Sequence, residues 1–304
     1  MVFITVRLYA AMKNKEKLME YCHKLLVFNP DDASLYGQLE ACLSDQTNES
    51  LLALYKDLET KYTRSAHVQT RILELLPATD PEWQSRVGEA LKKGLRKGVP
   101  SLFTSVKRLW FSGDSAKKDW VRGTVEGYVA SLEKRGTFDD DEHGERETPT
   151  ALPWSLLFLS LLYDSDGRSD DALVQVDKGI EHTPTLVELH MTRGRVLKRA
   201  GRIQDAADAL QEARELDLQD RFVNTKCTKY LLRAGRFEDA EKVVVLFTRA
   251  ESTDPLGDMI EQQVLWWATE GAEMFARKGE WGKAMKRWYQ IEKVSLGLVF
   301  WVVR

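Results

Sequence analysis

The sequence predicts an all-α chain, an α-solenoid of stacked helix pairs wound as a right-handed superhelix. Three observations carry this. First, Asp166-Gly167-Arg168-Ser169-Asp170-Asp171-Ala172 returns as Ala200-Gly201-Arg202-Ile203-Gln204-Asp205-Ala206 and as Ala234-Gly235-Arg236-Phe237-Glu238-Asp239-Ala240, each time 34 residues on. Second, every copy sets its glycine between two apolar-periodic segments. Third, small residues recur at equivalent places on both sides of it. A period of 34 built this way is the signature of the tetratricopeptide repeat. A worn fourth copy, Lys278-Gly279-Glu280-Trp281-Gly282-Lys283-Ala284, follows 44 residues later. Its spacer carries about ten extra residues, around Ser252–Glu261.

Each repeat position has a physical task. Glycine takes a left-handed conformation without a Cβ penalty, so it ends the first helix of a pair and opens the turn. The alanines at 172, 206, 240 and 284 are small where the paired helices cross. Ser160, Gly194 and Ala272 are the small partners on the first helices. Val176, Leu210, Val244 and Trp288 follow one turn after each alanine, on the same face. Thr183-Pro184 closes the first unit, where threonine suits an N-cap and proline the first helical position. Trp266, Trp267, Trp281 and Trp288 are expected to pack in the core.

Upstream, residues 1–80 read as degenerate helix pairs of the same kind, without the glycine. Leu18, Tyr21, Cys22, Leu25 and Leu26 form a stripe at helical spacing. Asn29-Pro30-Asp31-Asp32 stops that helix. Leu35, Tyr36, Leu39 and Leu43 make a second stripe, and Leu51, Leu54, Tyr55, Leu58 and Tyr62 a third. Residues 81–135 are helical but irregular, with a break across Lys92–Ser101. Twelve Lys and Arg stand there against six Asp and Glu. With Phe103, Trp110, Phe111 and Trp120 nearby, this basic face is either a solvated surface over core aromatics or a contact for RNA or the ribosome. Residues 136–150 read as an acidic loop, and 294–304 as an apolar tail too short to span a bilayer.

Composition narrows the function. The chain has 304 residues, 43% hydrophobic and 30% charged, with 8 prolines and a net charge of -3. That fits a helix-rich globular chain and argues against DNA binding as the main task. Three cysteines, Cys22, Cys42 and Cys227, match no zinc spacing and fit a reducing compartment. The five histidines form no metal-ligand pattern. No phosphate loop, no nucleophile elbow and no acetyl-CoA loop, (Q/R)xxGx(G/A), occurs. No catalytic residue and no metal site is therefore expected. Arg221, Lys226, Lys229 and Arg233 share one expected helix, with the last three on one face. Arg249 follows in the partner helix. Such like charges either face open water or hold an anion.

Between the repeat positions the wording becomes particular. Tyr163-Asp164, Thr183-Pro184-Thr185-Leu186-Val187-Glu188-Leu189, Arg221-Phe222-Val223-Asn224-Thr225-Lys226-Cys227 and Phe247-Thr248-Arg249 resemble the auxiliary (large) subunit of the NatA N-terminal acetyltransferase complex. So do Lys97-Gly98-Val99-Pro100-Ser101-Leu102-Phe103 and Val125-Glu126-Gly127-Tyr128. The resemblance covers 81–293 well and 8–76 weakly, and it implies a piece of the middle region of a longer chain. It implies a non-catalytic scaffold that wraps and activates a catalytic subunit of GNAT fold, in the cytoplasm and near the ribosomal exit. It also implies an inositol hexakisphosphate in a basic cavity, with Arg221, Lys226, Lys229 and Arg249 as the positions carried over. A tetratricopeptide adaptor that clamps an acidic C-terminal peptide is the other reading. That clamp needs polar residues where Leu157 and Leu161 stand.

Overall fold

The structure, a computed structural model, describes residues 2–110, 114–138, 146–248, 253, 256–257, 259 and 264–302. Sixteen helices occur among the described residues, and no strand. The chain divides into two compact units, Met1–Gly127 and Tyr128–Arg304.

The first unit contains α1 (Val2–Ala11), α2 (Lys15–Leu26), α3 (Ala33–Ala41), α4 (Asn48–Lys61), α5 (Ala66–Leu75), α6 (Pro81–Lys97), α7 (Leu102–Lys107) and most of α8 (Ser115–Arg135). These helices lack the repeated heptapeptide, and α2 to α6 begin on side-chain caps. Asn14, Asp32, Thr47, Ser65 and Asp80 each accept a hydrogen bond from a backbone N–H in the first turn of the helix that follows. Each such cap stabilises a helix start by about 1 kcal/mol. The three expected stripes supply the core: Leu18, Cys22 and Leu26, then Leu35, Tyr36 and Leu39, then Leu51, Tyr55 and Leu58 are all buried. Gly98 ends α6 with φ 62. Lys117 on α8 is buried, and its ammonium donates to the carbonyls of Leu73 at 2.9 Å and Glu74 at 2.7 Å. A cation there satisfies the orphan carbonyls at the C-terminus of α5.

The second unit is built of pairs: α9 (Ala151–Ser165) on α10 (Ser169–His182), α11 (Val187–Arg199) on α12 (Ile203–Leu216), α13 (Arg221–Arg233) on α14 (Phe237–Val244), and α15 (Leu265–Arg277) on α16 (Trp281–Val302). The repeated heptapeptide explains the turn inside each pair. Gly167, Gly201, Gly235 and Gly279 have φ of 76, 80, 77 and 75. In each turn the residue after the glycine donates its N–H back to the first helix, as Arg202 does to Leu197 O at 2.9 Å. That six-to-one bond defines a Schellman ending. The arginine is then the N-cap of the second helix, and its guanidinium pairs with the aspartate three residues on. Arg168–Asp171, Arg202–Asp205 and Arg236–Asp239 close at 2.7, 2.8 and 3.0 Å. The fourth turn keeps the clasp with the charges exchanged, Glu280 to Lys283 at 2.5 Å.

The small residues lie at the crossings as expected. Ala172, Ala206 and Ala240 are wholly buried, and Ser160 donates to Ala172 O at 2.9 Å. Val176, Leu210 and Val244 fill the core one turn on. Three expectations fail. Thr183 is the C-cap of α10, and Pro184 precedes α11 in a turn closed by Leu186 N–H to Thr183 O at 3.2 Å. Proline is as well suited to the second position of such a turn as to a helix start. Trp281 and Trp288 are exposed, because the described chain brings no helix against that face of α16. Trp267 is buried and Trp266 half-buried.

Candidate functional site: a basic face on first helices

Two first helices, α11 and α13, present cations to one another in the second unit. Arg195, Lys198 and Arg199 come from the end of α11, and Lys226, Tyr230 and Arg233 from α13. Lys198 lies over the Tyr230 ring at 5.5 Å. Burial pushes the Lys198 ammonium below its usual value, and the nearby Arg233, Arg199, Lys226 and Arg195 push it the same way. Both effects disfavour the charged form of that ammonium.

The arginines of this face are mostly anchored. Asp164, at the end of α9, is almost wholly buried and pairs with Arg199; Arg195 Nε lies 3.5 Å from the same oxygen. The other Asp164 oxygen, Oδ1, is buried without a hydrogen-bond partner among the described residues. Arg233 is held by Glu270 of α15 through two bonds, at 3.1 and 2.6 Å. Among the described residues no carboxylate pairs with Lys198 or Lys226. These are the charges the fold leaves available.

The four carried-over positions separate. Lys226 lies 5.2 Å over the Phe222 ring of its own helix and is near enough to Lys198 to lower that ammonium's value, so it belongs to the cluster. Lys229 turns toward α15, where its ammonium sits 4.9 Å above the Trp266 ring. Arg221 opens α13 and donates to Phe247 O at 3.4 Å. Arg249 lies outside the described residues. The shared face expected of Lys226, Lys229 and Arg233 therefore divides between two neighbouring helices. Arg195, Lys198 and Arg199 were absent from the sequence reading. The repeat register held the signal for two of them, since Arg195 and Arg199 stand 34 residues before Lys229 and Arg233.

Among the described residues of the basic segment 81–135, the aromatics form no exposed platform. Phe103 and Trp110 are buried, and Trp120 packs edge-on against Trp83 at 5.2 Å. Phe111, and residues 139–145 of the acidic loop with His143, lie outside the described residues.

The fold and this face define a class: a helix-pair solenoid whose first helices carry an exposed cluster of charge, with no catalytic constellation among the described residues. The chain belongs to the family of N-terminal acetyltransferase A auxiliary subunits, which it matches over residues 3–296. It is 34% identical to mouse N-alpha-acetyltransferase 16, NatA auxiliary subunit, over 90% of this chain and 31% of that one. It is also 34% identical to the NatA complex auxiliary subunit NAA15 of Arabidopsis thaliana, over 95% of this chain and 32% of that one. A solved structure of Naa15/Naa10 bound to HypK-THB superimposes with a TM-score of 0.83 at 28% identity, covering 96% of this chain and 43% of that one. The chain thus spans about a third of the length of the curated relatives it matches. No helix among the described residues is long and apolar enough to cross a membrane.

Proposed function

We propose that this chain is a non-catalytic scaffold segment that binds and activates the catalytic GNAT-fold subunit of an N-terminal acetyltransferase, for co-translational acetylation in the cytoplasm at the ribosome. The observation that carries the reading is the superposition, over almost the whole chain, on a structure of Naa15/Naa10. The first helices support it physically. A solenoid binds through the surface its repeats line up, and rigid helices place contacts without ordering cost.

The basic face supports a second element of the same reading. Lys198 and Lys226, with Lys229, Arg221 and Arg249 nearby in sequence, would hold inositol hexakisphosphate, whose clustered phosphates match unpaired cations. The anion would act as a structural ligand. The peptide-clamp alternative has less support, since Leu157 and Leu161 are both buried and cannot hold a carboxylate.

The test is co-expression with the cognate catalytic subunit, size-exclusion chromatography and acetylation of a peptide that begins with serine. Co-elution with raised activity is expected. K198E/K226E should weaken co-elution or remove the response to added inositol hexakisphosphate. Absence of co-elution with a longer chain from the same protein overturns the reading.

A further inference from the structure

On the other side of α15 lies a cavity of about 820 Å3 that none of Arg221, Lys226 and Lys229 lines. Its walls come from the start of α14, from α15, from the first half of α16 and from Leu256 and Gly257. Phe237, Trp267 and Phe275 form its aromatic side, with Phe237 4.9 Å from Phe275 and 5.8 Å from Trp267. Arg287 of α16 reaches into this cluster. Its guanidinium lies 4.9 Å from the Phe237 ring, 5.3 Å from Trp267 and 5.6 Å from Phe275.

The chain makes room for that arginine. Gly271 sits under its side chain, and a Cβ there would fall 3.2 Å from Arg287 Cδ and 3.3 Å from Nε and Nη1. Burial holds the guanidinium below its usual value, and the one charge that opposes this is Glu241. Arg287 has no hydrogen bond or ion pair among the described residues. The repeat arginines Arg168, Arg202 and Arg236 contrast with it, since each closes on a carboxylate.

Of the four further cations that line the cavity, Arg236 and Lys283 are paired, whereas Lys278 and Lys286 are exposed and without a carboxylate among the described residues. Of the acids that line it, Asp239 is taken by Arg236 and Glu280 by Lys283, which leaves Glu238. The cavity is thus basic, aromatic on one wall and of a size that holds a small molecule. A stacked guanidinium keeps its N–H donors in plane, where they match phosphate or carboxylate oxygens.

We propose that this cavity is a binding site for a small organic oxyanion bearing phosphate or carboxylate groups. Arg287 is its principal contact, Lys278 and Lys286 supply further charge, and the aromatic wall takes its apolar body. The site is separate from the basic face of α11 and α13. Trp266 and Glu270 of α15 turn toward that face, whereas Trp267 and Gly271, each one residue on, turn toward this cavity.

Isothermal titration with inorganic pyrophosphate and with citrate, at fixed ionic strength, tests it. The chain carries K198Q/K226Q/K229Q so that the other basic cluster cannot report. One saturable site per chain is expected, weakened at least tenfold by R287Q and severalfold by K278Q/K286Q. Tighter pyrophosphate binding identifies a phosphorylated ligand, and tighter citrate binding a carboxylate. The double lysine variant changes two exposed residues, so it remains informative if R287Q fails to fold. The proposal is overturned if neither probe saturates, or if binding is unchanged in K278Q/K286Q and in a folded R287Q. No partner protein enters this experiment, so its outcome is independent of the scaffold reading.

Discussion

Gly194 and Leu210 meet at the crossing of α11 and α12 so closely that a Cβ on Gly194 would lie 1.9 Å from Leu210 Cδ2 and 3.1 Å from Ala206 O. The leucine tip can rotate away, but the backbone oxygen of Ala206 cannot. Gly194→Ala should therefore force the pair apart and destabilise the second unit by about 1–3 kcal/mol, the usual range for overpacking. Gly127→Ala on α8 is the control. Nothing lies within 4 Å of the Cβ it would add. It should be neutral or stabilise by about 0.5–1 kcal/mol, because alanine loses less backbone entropy in a helix. Urea denaturation of the two variants checks both signs.

The bidentate pair between Arg233 and Glu270 ties α13 to α15. Glu270 is the more buried partner, with a side-chain exposure of 12% against 37% for Arg233. Removing the arginine strands a mostly buried carboxylate. Arg233→Ala should cost about 1–2 kcal/mol, less than a fully buried pair because water screens the guanidinium. The double variant R233M/E270M should recover part of that loss, since it leaves no charge unpaired. A double-mutant cycle read by thermal unfolding gives the coupling, and equal losses in the single and double variants would count against the pair.

Acid should weaken the first unit before its carboxylates titrate. Burial is the leading cause that lowers the values of His23 and His67 from the ordinary 6.5. His67 stacks on Tyr36 at 4.7 Å, and His23 Nδ1 lies 3.0 Å from the Tyr62 hydroxyl. A depressed folded value means that the unfolded chain takes the proton first. The stability is present above pH 6.5 and is lost as the pH falls toward the folded values. Asp31 and Glu59 are also depressed, from 3.8 and 4.5, so their contribution is lost only at lower pH. Hydrogen exchange at pH 7.5 and 5.5, corrected for intrinsic rates, should show faster opening of α2–α5 at the lower pH. H23Q/H67Q should flatten that dependence, and an unchanged dependence would sink the assignment.

The helix-pair architecture of 151–293 was legible because the repeat writes each contact several times. Glycine, alanine and the residue one turn after it all recur at the 34-residue step. A position that is structural in one pair is therefore recognisable in the next. The Arg–Asp clasp stood in the same heptapeptide, yet its meaning needed the backbone: a spacing of three becomes a contact only where a helix begins at the arginine. The basic face was half legible. Lys226 and Arg233 follow from helical spacing, whereas Lys198 enters from a different helix, and no local pattern joins them. The split of Lys229 from Lys226 was not legible at all. On a helix surface, three residues of separation put two side chains near each other without fixing which neighbour each will meet.

Trp281, Met285, Trp288 and Tyr289 form a continuous apolar stripe on α16, at spacings of four, seven and eight, and all four are exposed. Isolated exposed apolar residues are ordinary in proteins, but an aromatic stripe along two turns of one helix is a surface that water disfavours. Burial of such side chains contributes roughly 25 cal/mol for each Å2 removed from water. This chain should self-associate through that stripe in dilute buffer. Multi-angle light scattering across a concentration series should show a mass that rises above that of the monomer. Trp281→Lys and Met285→Lys should return it to the monomer without loss of helicity. Both substitutions face solvent, and lysine is a good helix former, so a loss of fold is not expected from either. A monodisperse monomer at the highest concentration would show that the stripe is tolerated in water, and the argument from its exposure would then fail.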